Sequence, residues 1–236
     1  SQKLLPDNKI NTDPATRKCF LESMEKTVAQ LKNHPCIVYW TIFNEGWGQF
    51  EADEAYEILR KLDDTRWILR PANYTARAPG RGYGVYDCGA IRIAVMNLIG
   101  RCDLDWKAAD PFTTADALLK KEQADITLVD FHAEATSEKE ALGYYLDGKV
   151  SAVLGTHTHI QTADERILPN GSAYITDVGR TGARDAVLGL DKDASIARFT
   201  LPPDTKKPPF KVAQGKGQLC ATVIKINEAT GKAEEI

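Results

Sequence analysis

Three of the four histidines of this chain lie in two short segments that each follow an apolar run. His132 follows one run, and His157 and His159 lie in Gly155-Thr-His-Thr-His after the next. In an extended segment, residues i and i+2 point the same way, so we expect the last two imidazoles on one face. If the runs are neighbouring strands, all three rings meet at one sheet edge. Neutral imidazoles suit a divalent transition metal such as Mn, Fe or Zn.

A metal at this edge would support hydrolysis, because it lowers the pKa of a bound water molecule. The alternative is that these are hydrogen-bonded structural histidines, but the clustering of three favours the metal. Three nearby acids, Glu134, Asp164 and Asp177, could be ligands or could orient the histidines. Such acids also cap helices or face solvent, and the sequence leaves both roles open.

The elements around these residues predict an α/β fold with the candidate site at the carboxyl ends of its strands. Apolar residues at helical spacing predict amphipathic helices over 15–33 and 52–62. The continuous apolar run 36–43 is typical of a buried parallel strand, and 70–89 and 202–217 are interpreted as loops. Further strands are predicted over 91–98, 126–131, 150–154, 173–176 and 219–226, and further helices over 114–121 and 137–146.

The composition excludes several classes of function. The 236 residues include 43% hydrophobic and 27% charged residues, and the net charge is −3. This charge does not favour binding to a nucleic-acid duplex or an acidic membrane, and no apolar run approaches the length of a bilayer span. The five cysteines are scattered and form no CxxC pair, which predicts reduced thiols in a cytoplasmic protein.

From about residue 68 onwards, the sequence resembles small bacterial metallophosphoesterases of the YmdB type, in the calcineurin-like superfamily. The similar segments are 70–74 (RPANY), 130–139 (DFHAEATSEK), 155–164 (GTHTHIQTAD) and 173–179 (AYITDVG). The resemblance implies a layered α/β metallophosphoesterase-like sandwich and a two-metal phosphodiesterase that acts on 2′,3′-cyclic nucleotides among other small phosphate esters. By the same resemblance His132 and His157 would hold one metal and His159 the other.

The other ligands of that family lie in its N-terminal third, and their motifs do not occur in this sequence. They are an aspartate after the first strand, a glutamate–asparagine loop, and an asparagine–histidine pair that supplies a general acid. We therefore expect an incomplete two-metal site that holds one ion rather than two, with weak or lost phosphodiesterase activity. A second copy of the chain in a homo-oligomer could complete the site.

Residues 15–67 resemble a different group, glycoside hydrolase family 2, which contains the β-galactosidases. Residues 30–50 (QLKNHPCIVYWTIFNEGWGQF) carry this resemblance. It implies a helix, a strand and a helix of a TIM barrel, with Asn44 and Glu45 at the strand end and Glu45 at the acid/base position. A retaining glycosidase needs a second carboxylate and the rest of the barrel, which we do not find.

The two resemblances together predict a chimera. Residues 1–67 form a glycosidase-like helix–strand–helix segment, and residues 68–236 form a metallophosphoesterase-like domain that lacks the family's N-terminal third. Three functions follow: a phosphoesterase with an incomplete metal site, a non-catalytic recombined or engineered scaffold, or residual carbohydrate binding through Trp40, Trp47 and Glu45. In a bolder variant of the first, Asn44 or Glu45 replaces a missing metal ligand.

Overall fold

The computed structural model describes residues 12–33, 39–40, 42, 52–65, 67–68, 82–104, 108–121 and 123–236. Some of the sequence predictions therefore concern residues outside these ranges. They include most of the strand predicted over 36–43, the residues Asn44, Glu45 and Trp47, and the RPANY segment.

The described part of the N-terminal region forms two helices and two very short strands. Helix α1 (Pro14–Leu31) begins at Asp13, whose carboxylate accepts hydrogen bonds from the backbone N–H groups of Ala15 and Thr16. Strand β1 (Tyr39–Trp40) pairs in parallel with β2 (Trp67–Ile68), and α2 (Ala52–Leu62) lies between them in the chain. Both predicted helices are confirmed.

In the described residues that follow, six strands form one sheet in the spatial order β3-β4-β5-β6-β8-β7. Strands β4, β5, β6 and β8 run parallel to one another, and the edge strands β3 and β7 pair antiparallel. The bounds are β3 (Tyr83–Cys88), β4 (Ile91–Ile99), β5 (Ile126–His132), β6 (Ala152–Thr156), β7 (Arg166–Ile167) and β8 (Ala173–Ile175). The parallel strands match four of the predicted strands.

The sheet is covered on both faces, which makes the fold a layered α/β sandwich as expected. Helices α3 (Pro111–Lys121) and α4 (Thr136–Leu146) lie on one face, where Phe131 and Val153 join the buried residues of these helices. On the other face, Ala152 and Ala173 contact Ala233 of the hairpin β11 (Lys225–Ile226) and β12 (Ala233–Glu235).

The remaining elements differ from the prediction, and so does β3, which lies in the segment 70–89 that the sequence analysis interpreted as a loop. Helix α5 (Lys192–Thr200), capped by Asp191, and the pair β9 (Gly182–Ala183) and β10 (Gly217–Gln218) were not predicted. The strand predicted over 219–226 is wrong for most of its length, since Leu219 and Val223 are exposed and only Lys225–Ile226 is a strand. No described helix has the length and apolar character needed to cross a membrane.

Candidate metal site

The candidate site lies at the carboxyl ends of β4, β5 and β6, and the register of these strands positions its side chains. Asn97 of β4 is opposite Asp130 of β5, and His132 of β5 is opposite Thr156 of β6. Asp130 and His132 share one face of the strand, because side chains alternate along it. The alternate residue Phe131 belongs to the core beneath the helices, so the polar pair faces away from α3 and α4.

These four side chains form a continuous hydrogen-bond network across three strands. The Asn97 amide donates to Asp130 Oδ2 over 2.7 Å, and the Thr156 hydroxyl donates to Asp130 Oδ1 over 2.9 Å. His132 Nδ1 lies 3.1 Å from Thr156 Oγ1. The network therefore connects the Asp130 carboxylate to the His132 ring through a hydroxyl.

The His132 and His157 rings meet as the sequence predicts. His132 Nε2 lies 3.0 Å from His157 Nδ1, and the ring planes are 83° apart. Two nitrogens that bind one ion at about 2.1 Å are separated by about 3.0 Å at a right angle and by about 3.4 Å at the tetrahedral angle. The distance between the two rings is at the short end of this range.

His159 is placed differently from the expectation, because the segment after β6 is not extended. The backbone φ is 112° at His157 and 65° at His159, so both residues adopt conformations that residues other than glycine rarely take. The argument that residues i and i+2 share a face is wrong for this loop. Within the described ranges, no three His, Cys, Asp or Glu side chains converge as metal ligands would. Among the described residues, His132 and His157 are the candidate ligands whose rings are in contact, and the ligand role of His159 stays a prediction.

Glu134 contacts His157 on the side away from His132. Its Oε2 lies 2.8 Å from His157 Nε2. A carboxylate on the outer nitrogen of a metal-binding histidine holds the ring in place and leaves the other nitrogen for the ion. This position suits the orienting role that the sequence left open for Glu134.

Asp177 holds the loop that carries the histidines. Its carboxylate accepts hydrogen bonds from the backbone N–H groups of Thr158 and Gly179, at 2.9 and 2.8 Å, and pairs with the Lys139 ammonium at 3.0 Å. Lys139 and Asp177 are both fully buried. Burial tends to raise the pKa of Asp177, but the bonds from Gly179, Thr158 and Lys139 outweigh it and hold the pKa below its ordinary value.

Asp164 serves the end of β8 and not the histidines. Its two oxygens accept from the Thr176 backbone N–H and the Thr176 hydroxyl, at 3.2 and 2.5 Å. Burial tends to raise the pKa of Asp164, but hydrogen bonds from Thr162 and Thr176 outweigh it, so its pKa lies below the ordinary value. These bonds fix the strand end from which Asp177 follows.

The sequence analysis missed four residues of this arrangement: Asn97, Asp130, Thr156 and Lys139. One signal for Asp130 was available, since it precedes His132 by two positions in a strand and therefore shares its face. The other three depend on strand order, register or helix packing, which the sequence alone does not supply.

The fold and the placement of the site define a class: the chain is a metallophosphoesterase-like α/β protein. It superposes on a novel phosphatase from Mycoplasma pneumoniae with a TM-score of 0.66, at 30% identity over 92% of this chain and 87% of that one. A hypothetical protein from Thermus thermophilus gives a TM-score of 0.62 at 33% identity, over 84% of each chain.

The profile of the YmdB-like proteins matches residues 40–236, and the chain belongs to this family. A 2′,3′-cyclic-nucleotide 2′-phosphodiesterase from Bacillus subtilis is 48% identical over 183 residues, 76% of this chain and 67% of that protein. The family implies dependence on a divalent metal.

A second similarity covers a shorter part of the chain. A β-galactosidase from Klebsiella pneumoniae is 32% identical over 63 residues, which are 27% of this chain and 6% of that protein. The YmdB-like match begins at residue 40, whereas the sequence analysis placed the start of that resemblance near residue 68.

Proposed function

We propose that this protein is a metal-dependent phosphoesterase that hydrolyses phosphodiesters of the 2′,3′-cyclic nucleotide type. The observation that carries the proposal is the pair of imidazole nitrogens, His132 Nε2 and His157 Nδ1, that face each other at 3.0 Å. The relative that is named for 2′,3′-cyclic-nucleotide hydrolysis supports the substrate class.

The surroundings of the two rings favour a cation between them. The outer nitrogen of His132 faces the Thr156 hydroxyl, which is bound to Asp130, and the outer nitrogen of His157 faces Glu134. Both outer nitrogens are therefore placed to donate to acceptors. The inner nitrogens lie within hydrogen-bond distance of each other, where they can share a proton or bind one metal ion.

The residues around the rings would have different roles in such a site. His132 and His157 would hold the divalent ion, which when bound polarises a phosphoryl oxygen and activates water. Glu134 and the Thr156–Asp130 pair keep the protons on the outer nitrogens. Asp177, through its bonds to the backbone, keeps the loop of His157 at the strand ends.

We further propose that the two-metal site is incomplete and holds one ion, Mn, Fe or Zn. Two donors among the described residues support this, together with the sequence motifs that the family uses and this chain lacks. A single ion lacks the partner that stabilises the opposite oxygen in a two-metal displacement. We therefore expect activity below that of a two-metal phosphodiesterase.

The test combines metal content with hydrolysis. Protein purified without chelator is analysed by plasma mass spectrometry and assayed with 2′,3′-cyclic AMP, beside His157→Ala and His159→Ala. We expect about one ion per chain in the wild type, and loss of both metal and hydrolysis in His157→Ala. Retention of the ion in His159→Ala would support a site built on His132 and His157. A cooperatively folded wild type with neither metal nor hydrolysis would overturn the proposal.

The alternative is a non-catalytic chimera, and the similarity to β-galactosidases over 27% of the chain favours it. On this proposal residues 1–67 come from a glycosidase barrel and the histidines are inherited without activity. A fully folded, metal-free protein in the experiment above would support it.

The described cysteines Cys19, Cys88, Cys102 and Cys220 are free thiols, which supports a cytoplasmic location under either proposal.

A further inference from the structure

We infer that Arg180 and Thr222 form an anion-binding site for a phosphate group next to the histidine loop (157–159). The observation behind the inference is that two buried polar atoms, Arg180 Nε and Thr222 Oγ1, have no hydrogen-bond partner within the described part of the chain. A buried donor without a partner costs stability, so an acceptor that enters from outside, such as an anion, is favoured there. The site goes beyond the proposed function, because it requires no metal ion.

Arg180 lies at the carboxyl edge of the sheet, three residues after Asp177. Strand β8 runs parallel to β6, so the segment that follows β8 leaves the sheet at the edge where the candidate metal site lies. Asp177 joins this segment to the histidine loop, since its carboxylate accepts from the backbone N–H groups of both Gly179 and Thr158. The same carboxylate therefore places the Arg180 backbone beside that loop.

The Arg180 side chain is half-buried and offers two donors to such an anion. Its Nη1 donates to the Ala183 backbone oxygen over 2.9 Å, which holds the guanidinium in place. Nε and Nη2 lie on the side of the group that binds two oxygens of a phosphate at once. Among the described residues no carboxylate forms an ion pair with Arg180, whereas the nearby Arg184 pairs with Asp185.

Thr222 approaches the same edge from the segment 219–224. In this segment Cys220, Thr222 and Ile224 alternate with exposed residues, so they share its inner face. A Cβ atom at Gly179 would lie 2.9 Å from Cys220 Cβ, and Ile224 packs against the apolar cluster on the sheet face opposite α3 and α4. The buried Thr222 hydroxyl therefore lies between the strand ends and this cluster.

Gln161 connects these segments to the histidine loop. It follows His159 by two positions, and its side-chain amide donates to the Ala221 backbone oxygen over 3.1 Å. A Cβ atom at Gly179 would lie 2.8 Å from the Gln161 backbone nitrogen, so no side chain separates Gly179 from this loop. The three segments thus meet at one place beside the candidate metal site.

The donors of this site and the charges around it favour a phosphate group. The guanidinium supplies a positive charge and two N–H groups, and the hydroxyl supplies a third hydrogen bond. Asp177 is the carboxylate closest to Arg180 in the sequence, and its charge is met by the buried Lys139 ammonium at 3.0 Å and by backbone N–H groups. The Arg180 charge is therefore available to an anionic ligand.

The test measures the binding of inorganic phosphate and of adenosine 5′-monophosphate to the full chain by isothermal titration calorimetry, with and without a chelator. We expect both to bind to the wild type, and Arg180→Met to lower the affinity for phosphate by about 10- to 100-fold. Arg180→Lys keeps the charge but not the paired N–H groups, so its affinity should lie between these two. Arg184→Met is the matched control and should bind phosphate as the wild type does.

Thr222→Val separates ligand binding from a structural role. Valine has the shape of threonine and removes a buried hydroxyl without a partner, so the melting temperature in phosphate-free buffer should stay the same or rise. The affinity for phosphate should fall by about tenfold in the same variant. A lower melting temperature with unchanged affinity would show that the hydroxyl is bonded within the protein, and would overturn its place in the site.

The chelator and His157→Ala distinguish this site from the proposed function. Phosphate binding that persists under both conditions would support the anion site, even if the wild type has neither metal nor hydrolysis and the proposed function is overturned. Binding that the chelator abolishes would place the phosphate on a metal and overturn the anion site. Absence of binding in the wild type, or equal affinities in Arg180→Met and Arg184→Met, would also overturn it.

The two probes identify the source of the phosphate group. Tighter Arg180-dependent binding of adenosine 5′-monophosphate than of inorganic phosphate would support the site as one for a nucleotide. Equal Arg180-dependent binding would support it as a site for the free ion. Melting temperatures of the variants check that each is folded.

Discussion

The described N-terminal region and the six-stranded sheet differ in the length of their strands and in the size of their hydrophobic clusters. In the former, two helices enclose two-residue strands around a small cluster of Val28, Leu59 and Ile68. The sheet has a continuous core between its strands and two helices, and the candidate site described above is built on its strands and on the elements that adjoin them. Among the described residues, the candidate site therefore belongs to the sheet, and the N-terminal cluster is distinct from the cluster beneath the sheet's helices.

The comparison is tested most severely where β6 passes close to the backbone of Thr176, the residue that follows β8. A Cβ atom at Gly155, the last residue but one of β6, would lie 1.7 Å from the Thr176 backbone oxygen. Since backbone cannot move aside, Gly155→Ala should destabilise the protein by more than about 3 kcal/mol, at the upper end for overpacking, or prevent folding. Urea unfolding followed by circular dichroism measures this loss.

Gly217 provides the matched control. A Cβ atom there meets no heavy atom within 4 Å, and its φ is not in the left-handed region. Gly217→Ala should therefore change the free energy of unfolding by less than about 0.5 kcal/mol. Equal losses for the two variants would contradict the close approach of β6 and β8 at the site.

The buried ion pair gives the next largest effect. Asp177→Asn leaves the Lys139 ammonium buried without its carboxylate, which should cost about 3–5 kcal/mol of stability. The loop of His157 and His159 loses the charge that holds it, so Zn²⁺ affinity should fall as well. Unfolding and metal titration of the same preparation measure both effects.

Two further variants show whether the charge is responsible. In the double variant Lys139→Met with Asp177→Asn no charge remains at this pair, so part of the lost stability should return. Lys18→Met removes the exposed Lys18–Glu22 pair of α1, at 3.8 Å, and should cost no more than about 1 kcal/mol. A single-variant loss at Asp177 as small as that at Lys18 would show that the buried pair does not hold the loop.

Sequence reasoning predicted those residues of this site whose positions follow from local periodicity. Apolar runs and their polar ends placed His132 and His157 at neighbouring strand ends. It failed for Lys139, because a lysine in a helix is ordinarily solvent-facing and its partner lies 38 positions further along the chain. It mistook the loop after β6 for an extended segment, since the Thr158 backbone N–H donates to Asp177, which lies 19 positions further along the chain.

Trp40→Phe tests the N-terminal region by itself. The Trp40 indole donates to Asp63 Oδ2 over 2.9 Å, and Asp63 is only 5% exposed. Loss of a hydrogen bond to this buried charge should destabilise the protein by about 1.5–3 kcal/mol, while Zn²⁺ affinity stays unchanged. Thermal unfolding measures the loss of stability, and metal titration measures the Zn²⁺ affinity. A fall in affinity equal to that of Asp177→Asn would mean that the two regions are not separate.

The smallest expected effect is the acid dependence of stability at Asp164. Its pKa in the folded protein lies below the ordinary value of 3.8, so the unfolded chain binds more protons between the two pKa values. The ionised Asp164 contributes fully to the free energy of unfolding above pH 3.8. This contribution is lost as the pH falls through the folded pKa. Melting temperatures between about pH 7 and pH 3 should therefore fall less steeply in Asp164→Asn than in the wild type.

Asp13→Asn is the matching test of acid dependence in the N-terminal region. The pKa of Asp13 is also lowered, by hydrogen bonds from Thr16 and Ala15, but Asp13 is exposed at the start of α1. Asparagine caps helices about as well as aspartate, so Asp13→Asn should leave the melting temperature at neutral pH nearly unchanged. Asp164→Asn, in contrast, must place an amide nitrogen or oxygen against both the Thr176 N–H and its hydroxyl. A steeper acid response at Asp13 than at Asp164 would mean that the acid sensitivity of the fold lies in the N-terminal helix and not at the end of β8.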